Sequence, residues 1–399
     1  MFTYDPDARR RLKVLAALWG VFFVVVLGLS VWLIQRVQEI ESQTYPKLAQ
    51  PCWSENEEQV AYLAREPKDA SWSLWRVESV SGKSFPVCAL EAGDWKLEGW
   101  LDDDRRLLLR SVQGGSPRVL VVEVGTGNQK DIRFEAKDIQ FIGVRGGIVL
   151  FQRYAQTGSA GELLESLTVL AWSPGEERLE SLVTIPFETE RLSVEKAWPS
   201  LNNRWLALCM LMGDSGERTL WFFDQQENHL RWSGLRLACN GIRGCWSSDS
   251  SGFVAAIHSE KGCDLYAYYN IYNDEYSRLS AGDQSRDYQP FWPRGADYFL
   301  LLEKKHVYQF DPHTLEANKL TADGWDHPRT RDLAVSPRGN LAAYVGEEMG
   351  DDQLFKVDFG AHQSRPMLPS HPKAHLQQTW WFVLGQGLRT PWEFLQGAH

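Results

Sequence analysis

Two groups of side chains in this sequence have the chemistry to bind a metal ion. Residues 102–104 are three consecutive aspartates, and His371 and His375 stand four positions apart. The aspartates lack the Asp-x-Asp-x-Asp-Gly spacing of a calcium loop and fall in a predicted turn, so a solvated turn is the simpler interpretation. Pro372 disfavours the helix that would place both imidazoles on one face. We therefore predict no metal site and no cofactor.

Motifs for covalent and nucleotide chemistry are missing from the chain. There is no Gly-x-Ser-x-Gly nucleophile elbow, no Cys-x-x-Cys pair, and no glycine-rich loop that follows a strand and opens a helix. Catalytic sites bring acids, histidines or metal ligands together, and no such cluster recurs along this sequence. The sequence thus predicts a protein that is not an enzyme and has no catalytic residues.

Six cysteines leave the disulfide state open. Cys209 lies within the apolar run LALCMLM, which favours a buried core thiol. Cys239 and Cys245 flank a five-residue connection, so a small-loop bridge is one alternative. Spacing alone does not decide between a bridge and free thiols.

The segment 14–35 has the length and composition of a membrane-spanning helix. It contains no charged residue, and Arg9, Arg10, Arg11 and Lys13 precede it. The positive-inside rule then puts the N-terminus in the cytoplasm. A cleaved signal peptide is the alternative, but the bulky residues 30–34 do not resemble a cleavage site.

This helix predicts a single-pass protein of the inner (cytoplasmic) membrane, with the remaining chain in the periplasm or outside the cell. Three small residues, Ala16, Gly20 and Gly28, are candidate helix-packing positions. The chain carries a net charge of −10, whereas residues 1–38 contain five cations and two aspartates, so the rest is strongly acidic. An acidic domain repels phosphate backbones, which excludes nucleic acid as a partner.

A pattern that returns about every 46 residues predicts the fold. Each copy has an apolar strand end, often a tryptophan, then a short polar turn and a second apolar strand. Repeats of this length with four strands each are typical of a β-propeller. The copies start at Trp53, Trp100, Trp198, Trp246, Trp292 and Val335. We expect the tryptophans to pack between blades, since aromatics dominate core burial; lining a ligand funnel is the alternative.

The predicted fold is all-β, a seven-bladed propeller of four-stranded antiparallel blades after one transmembrane helix. Six of the predicted blades cover about 51–90, 97–134, 195–236, 241–281, 288–322 and 331–368, and the irregular third blade lies between the second and fourth, with its first strands at Ile139–Ile142 and Gly147–Phe151. In the third, Trp172-Ser173 is assigned to a hairpin turn and not to a new blade, and Ala155–Glu165 is expected to form a projecting insertion. Ring closure is assigned either to Tyr45–Gln50 or to the C-terminal tail.

The domain organisation that follows is a cytoplasmic N-terminus (1–13), a transmembrane helix (14–35), a linker (36–50), a propeller (51–368) and an aromatic tail (369–399). The tail holds candidate partner contacts, since exposed tryptophan and phenylalanine are common anchors in interfaces. Packing on the propeller's own side is the alternative. These candidates are Trp380, Trp381, Phe382, Trp392 and Phe394.

The turn Ser336-Pro337-Arg338-Gly339 resembles the Ser-Pro-Asp-Gly turn of TolB-like, WD40-like (PD40) propeller repeats. Trp246-Ser247 and Trp53-Ser54 begin similar turns. The resemblance implies a propeller that binds other proteins in the cell envelope. It does not extend to TolB's N-terminal α/β domain, which has no counterpart in this sequence.

A second resemblance is one of architecture. Membrane dipeptidyl peptidases also join a signal anchor to a propeller, but a hydrolase domain then follows. The sequence after residue 368 is expected to be too short for such a domain. The resulting hypothesis is a non-catalytic scaffold or accessory subunit, with membrane or envelope proteins as partners. The alternative hypothesis is a ligand-binding or enzymatic propeller that uses its central channel for a glycan or a peptide.

Overall fold

A computed structural model provides the fold of most of the chain. It describes two separate units: one contains residues 47–369, and the other contains the two ends of the chain. The described residues are 19–20, 22–32, 35, 47–65, 71–101, 104–111, 118–132, 139–145, 148–157, 164–173, 179–187, 192–238, 243–257, 265–279, 289–302, 306–314, 316–321, 331–348 and 351–368.

The described part of the larger unit is a seven-bladed β-propeller, and each blade is an antiparallel sheet of four consecutive strands. The first four blades contain β1 (Lys47–Trp53), β2 (Gln59–Arg65), β3 (Ser71–Glu78) and β4 (Ser84–Ala92); β5 (Trp95–Leu101), β6 (Arg106–Ser111), β7 (Arg118–Glu123) and β8 (Gln129–Ile132); β9 (Ile139–Arg145), β10 (Ile148–Thr157), β11 (Leu164–Trp172) and β12 (Leu179–Phe187); β13 (Leu192–Pro199), β14 (Trp205–Met212), β15 (Glu217–Asp224) and β16 (His229–Arg236).

Of the last three blades, the sixth has the shortest strands. The three blades contain β17 (Gly244–Trp246), β18 (Gly252–Ile257), β19 (Leu265–Asn270) and β20 (Glu275–Leu279); β21 (Gln289–Phe291), β22 (Phe299–Leu302), β23 (Val307–Phe310) and β24 (Ala317–Lys319); β25 (Arg331–Val335), β26 (Leu341–Glu348), β27 (Asp351–Asp358) and β28 (Gln363–Pro366). The predicted fold class and blade count are confirmed for this unit.

The first strand of each blade lies nearest the axis of the propeller. First strands contact their neighbours around the ring: β25 touches β1, β1 touches β5, β5 touches β9, and β13 touches β9 and β17. The apolar cores lie between blades, as where Trp53 and Val60 of blade one pack with Ala343 and Leu354 of blade seven. The side chains that line the central channel therefore come from the first strands.

Blade three follows its predicted strand order with one difference. Trp172 ends β11 before the hairpin to β12, which confirms that it does not start a new blade. Both ends of the predicted insertion Ala155–Glu165 are regular strand, because β10 continues to Thr157 and pairs with β11 up to Leu164. Residues 158–163 lie outside the described part of the chain. At the start of blade one, β1 begins at Lys47, within the predicted linker.

Within the described residues, no strand is shared between the first and last blades. β1 pairs within its own sheet, so the described part of Tyr45–Gln50 does not complete blade seven; the other alternative, the tail, lies outside the described residues. Side chains join the two blades instead. The Trp53 indole nitrogen donates to the Ala334 carbonyl at 3.2 Å, and the buried Lys356 ammonium donates to the Ser79 carbonyl at 2.6 Å.

A buried serine organises the turn between the first two strands in four blades. Ser247 donates to Asp249 at 2.6 Å and accepts from the Gly252 amide at 2.8 Å. The hydroxyl thus replaces bonds that the turn cannot make with its own backbone. The same arrangement surrounds Ser54, Ser200 and Ser336. Ser54, Ser247 and Ser336 are the serines on which the resemblance to PD40 repeats depends.

The smaller unit contains helical residues 19–20, 22–32 and 35. Its apolar side chains, among them Trp19 and Trp32, are exposed to solvent. Within the described residues, none of the helices reaches the length and apolar character that a membrane span requires.

Candidate functional site: the central channel

Irregular pairing at the inner edge of the blades brings polar side chains toward the channel. The ladders shift register between Ala49 and Cys52 in β1, and between Leu97 and Gly99 in β5. Equivalent shifts occur in β13 around Glu195 and in β25 around Asp332. A β-bulge of this kind turns a side chain away from the regular alternation of the strand, and bulges are common beside active sites.

Glu98, at the bulge of blade two, forms the first ion pair of the site. Its Oε1 lies 2.9 Å from Nε of Arg110 and 3.6 Å from Nζ of Lys96. The Glu98 side chain is 13% exposed and that of Lys96 is 57% exposed. Glu98 is thus recessed in the wall, whereas Lys96 extends into the water of the channel.

Glu195, at the bulge of blade four, forms the second ion pair. The Arg218 guanidinium donates to both carboxylate oxygens, from Nε at 2.5 Å and from Nη2 at 3.0 Å. The Cys209 thiol lies 3.9 Å from the same carboxylate. Burial, followed by the charge of Glu195, raises the pKa of Cys209 to about 12. Cys209 is fully buried, so the core thiol predicted from the sequence is confirmed.

Lys196 follows Glu195 in β13 and is half-buried. Its ammonium lies over the face of Trp198, 5.5 Å from the ring centroid. Burial lowers the pKa of Lys196, and the positive charge of Lys96 lowers it further. Glu98 acts in the opposite direction, and Arg243 again lowers it.

Charges from three blades therefore act on one another. Lys96 belongs to blade two, Lys196 to blade four, and Arg243 immediately precedes β17 of blade five. Blades two and four are not neighbours in the ring, so the charge of Lys96 acts on Lys196 from a blade that does not pack against it. We call these residues the channel charge cluster: Lys96, Glu98, Arg110, Glu195, Lys196, Arg218 and Arg243. It comprises five cations and two carboxylates.

At the inner edge of blades seven, one and two, hydrogen bonds of Gln50 join neighbouring blades. Gln50 accepts from the Leu97 amide at 2.7 Å and donates to the Trp95 carbonyl at 3.3 Å. The Gln50 amide donates to Asp332 at 3.1 Å. These contacts connect blades seven, one and two.

The repeated tryptophans are buried between blades, as expected. Trp100 donates to the Cys52 carbonyl at 3.0 Å, and Trp246 donates to the Trp198 carbonyl at 2.7 Å. Each of these bonds reaches from one blade to the preceding blade. Trp292 instead donates to Ala296 of its own blade at 2.8 Å. The alternative of a tryptophan-lined funnel is therefore wrong for these side chains.

The other sequence candidates are placed only in part. Asp104 accepts from the Glu55 and Asn56 amides at 2.6 and 3.0 Å, so it fastens the turn of blade one. Among the described residues there is no group of three potential metal ligands. Gly20 and Gly28 are exposed helical positions of the smaller unit. Residues outside the described part are Ala16, Asp102, Asp103, Cys239, His371, His375, Trp380, Trp381, Phe382, Trp392 and Phe394.

The channel charge cluster was missed because each member looks like an ordinary charged residue in the sequence. One signal was present in the sequence: Glu98 and Lys196 each stand two residues before a tryptophan that recurs in the repeat, Trp100 and Trp198. A charge inside a strand that should be buried at the centre of the propeller marks either an ion pair or a bulge. Here both occur.

Solved structures of known proteins resemble this chain in fold. Prolyl endopeptidases match at a TM-score of 0.56 and 10% identity, over 84% of this chain and 53% of theirs. An oligogalacturonate lyase from Vibrio parahaemolyticus matches at 0.55 and 9% identity, over 79% of this chain and 91% of its own. TolB from Acinetobacter baumannii matches at 0.45 and 13% identity, over 80% of this chain and 65% of its own. No protein-family model and no curated protein sequence matches the chain.

These matches correct the prediction of a non-catalytic scaffold or accessory subunit. An acylaminoacyl peptidase and a puromycin hydrolase also match, with TM-scores of 0.53 and 0.51. The chain spans about half the length of the peptidases. At such low identity the likeness shows the fold alone. The matches nevertheless correct the premise of the prediction, because a propeller without a nucleophile elbow was taken as non-catalytic, whereas the matched peptidases, hydrolase and lyase are enzymes.

Proposed function

We propose that this chain is an enzymatic propeller whose central channel binds an oligomeric substrate, either a peptide or a glycan. The observation that supports this best is the channel charge cluster. Bulged first strands direct charged side chains to the axis, where a regular propeller needs only small or neutral residues. Holding Lys196 there costs folding free energy, and perturbed ionisable groups in a cleft are candidates for functional residues.

Two substrate classes follow from the matched proteins. The prolyl endopeptidases and acylaminoacyl peptidase act on peptides by name, and the oligogalacturonate lyase acts on an acidic glycan by name. The peptidases are longer than this chain, so for a peptide substrate the propeller's part would be admission and binding. For a glycan, the lyase is matched over 91% of its length, which supports chemistry within the propeller itself.

The segment 14–35 supports a second proposal, on location. Its uncharged composition and the cations before it favour insertion as a single helix, with the propeller in the periplasm or outside the cell. A substrate would then reach the channel without entering the cytoplasm. Protease accessibility of the propeller in intact cells and in inverted vesicles tests this orientation: digestion from the cytoplasmic side alone would overturn it.

The direct test of the enzymatic proposal is a turnover screen. Full-length protein in mild detergent is incubated separately with a mixed peptide library and with neutral and acidic oligosaccharides. Products are identified by mass. Time-dependent cleavage of one class, proportional to the protein concentration, is expected. If neither class is cleaved and neither binds, the proposal is wrong. Boiled protein and a sample purified from cells that carry the empty vector control for contaminating hydrolases.

A further inference from the structure

Lys196 places a positive charge in the channel that lacks an ion-pair partner in the described part of the chain. Its ammonium contacts the face of Trp198 at 5.5 Å, and Trp198 is buried. A cation over an aromatic ring recovers only part of the hydration that burial removes. Burying a charge without a counter-ion is costly, so a chain selected for stability alone would place a neutral side chain there.

The two carboxylates of the channel charge cluster are already engaged. Glu195 binds both donor nitrogens of Arg218 in a bidentate pair, and Glu98 lies 2.9 Å from Arg110. Bidentate and charge-assisted hydrogen bonds are the strong ones in proteins. If Glu195 or Glu98 moved to Lys196, its ion pair with Arg218 or Arg110 would break, so neither carboxylate is available to neutralise the ammonium.

We infer that Lys196, together with Lys96, binds a carboxylate group of the substrate in the channel. This inference deepens the proposed function and depends on substrate entry into the channel. Carboxylate oxygens accept from several donors at once, so one group can bridge cations contributed by different blades. Acidic sugars and acidic peptides both carry this group, whereas neutral oligomers of either class do not.

The surrounding charge favours selection for such a ligand at this position. The chain beyond residue 38 is strongly acidic, so a carboxylate is repelled over most of the surface. Within the channel charge cluster the cations exceed the carboxylates, and low-dielectric walls strengthen the attraction of these cations for an anion. Binding should therefore be specific for the channel and should weaken as ionic strength rises.

Titration calorimetry of the full-length protein tests the inference with defined probes. Trigalacturonate and triglutamate are the anionic probes, and trigalactose and triglutamine are their neutral counterparts. We expect at least one anionic probe to bind and its counterpart to bind far more weakly. Binding by trigalacturonate alone or by triglutamate alone would support the inference and identify the source of the carboxylate.

Two variants and one control assign the site. Lys196→Met should weaken binding of the anionic probe by about ten- to a hundredfold, the usual range for a hydrogen bond to a charged group. Lys196→Arg restores the charge and should recover binding at least in part. Lys83→Met removes an exposed lysine from the outer hairpin of blade one and should change nothing.

The outcomes separate this inference from the enzymatic proposal. Equal binding of charged and neutral probes, or unchanged binding in Lys196→Met, would overturn the carboxylate site. Turnover of a neutral substrate would, in that case, leave the enzymatic proposal standing. Absence of binding by all four probes would also overturn the inference, whatever the turnover screen returns.

Discussion

The indole nitrogen of Trp53 donates a hydrogen bond to the carbonyl oxygen of Ala334, across the boundary between the first and last blades. The two residues are far apart in sequence, and none of the described strands is shared across this boundary. Three further contacts reinforce it: Leu48 to Asp352, Arg338 to Glu57, and Lys356 to Ser79. The ring is therefore closed by individual side chains, each of which can be removed without interrupting a sheet.

Removing the indole donor should loosen this closure selectively. Trp53→Phe keeps an aromatic ring but removes the hydrogen bond to the partly buried Ala334 carbonyl, which costs about 0.5–1.5 kcal/mol. Hydrogen exchange should become faster in β1 and β25. Trp292→Phe is the matched control, because it removes a hydrogen bond within blade six and should speed exchange there. Equal acceleration of blades one and seven by both variants would contradict the closure described above.

The buried serine of the repeat should contribute more to the free energy of unfolding than an exposed serine does. In Ser336→Ala the Leu341 amide loses its acceptor at 3.2 Å, and Asn340 loses its donor. We expect a loss of about 1–3 kcal/mol in the free energy of unfolding, measured in urea. Ser81→Ala, in an exposed hairpin turn, should stay within about 0.5 kcal/mol of the unchanged protein. A similar cost for both would show that the turn does not depend on the hydroxyl.

The charged form of Lys196 should lower the stability of the folded protein. Its pKa in the folded protein lies below the ordinary value of 10.5, since burial and the charges of Lys96 and Arg243 outweigh the attraction of Glu98. Between the folded and unfolded pKa values the unfolded chain holds more protons, so this residue's contribution to stability rises with pH and is least favourable at neutral pH. Lys196→Met should therefore raise the melting temperature at pH 7, by about 1–3 °C.

The difference in melting temperature between Lys196→Met and the unchanged protein isolates the effect of Lys196 from that of other titrating groups. The advantage of Lys196→Met should shrink as pH rises toward the ordinary lysine pKa of 10.5, because Lys196 loses its proton in the folded state before it does so in the unfolded chain. Melting curves at pH 7, 8, 9 and 10 measure it. An advantage that stays constant or grows over this range would mean that the Lys196 ammonium is not destabilised in the channel.

The thiols of Cys52 and Cys209 should resist alkylation while the protein is folded. Burial is the main cause that raises the pKa of each to about 12, against an ordinary value of 9.0. At pH 8 the thiolate is then about one part in ten thousand of each, compared with about one in ten for an ordinary thiol. Cys88, raised to about 11 by burial, should react faster than both.

Peptide mapping after a timed treatment with iodoacetamide measures the three rates. All three cysteines should label equally once the chain is unfolded in urea. Rapid labelling of Cys209 in the folded protein would mean that the wall of the channel near Glu195 opens to solvent.

The sequence was sufficient to predict the propeller, since its determinants are local and repeat. Each blade has its own apolar strand pair and turn, and Ser247 or Ser336 occupies an equivalent buried position in its blade. Ring closure was not predictable, because it depends on side chains such as Trp53 and Lys356 that meet residues about 280 positions away. The channel charge cluster was missed for a related reason: a bulge changes which way Glu98 and Glu195 point, and alternation along a strand does not reveal it.

The central claim is that substrate binds in the channel at Lys196, and steady-state kinetics on the substrate found by the turnover screen test it most directly. We predict that Lys196→Met raises KM by about tenfold or more, as expected for loss of a charged contact to the substrate. Lys83→Met, on the outer edge of blade one, should leave kcat and KM unchanged. Identical kinetic constants in the unchanged protein and in Lys196→Met would show that the substrate binds elsewhere and would contradict the claim.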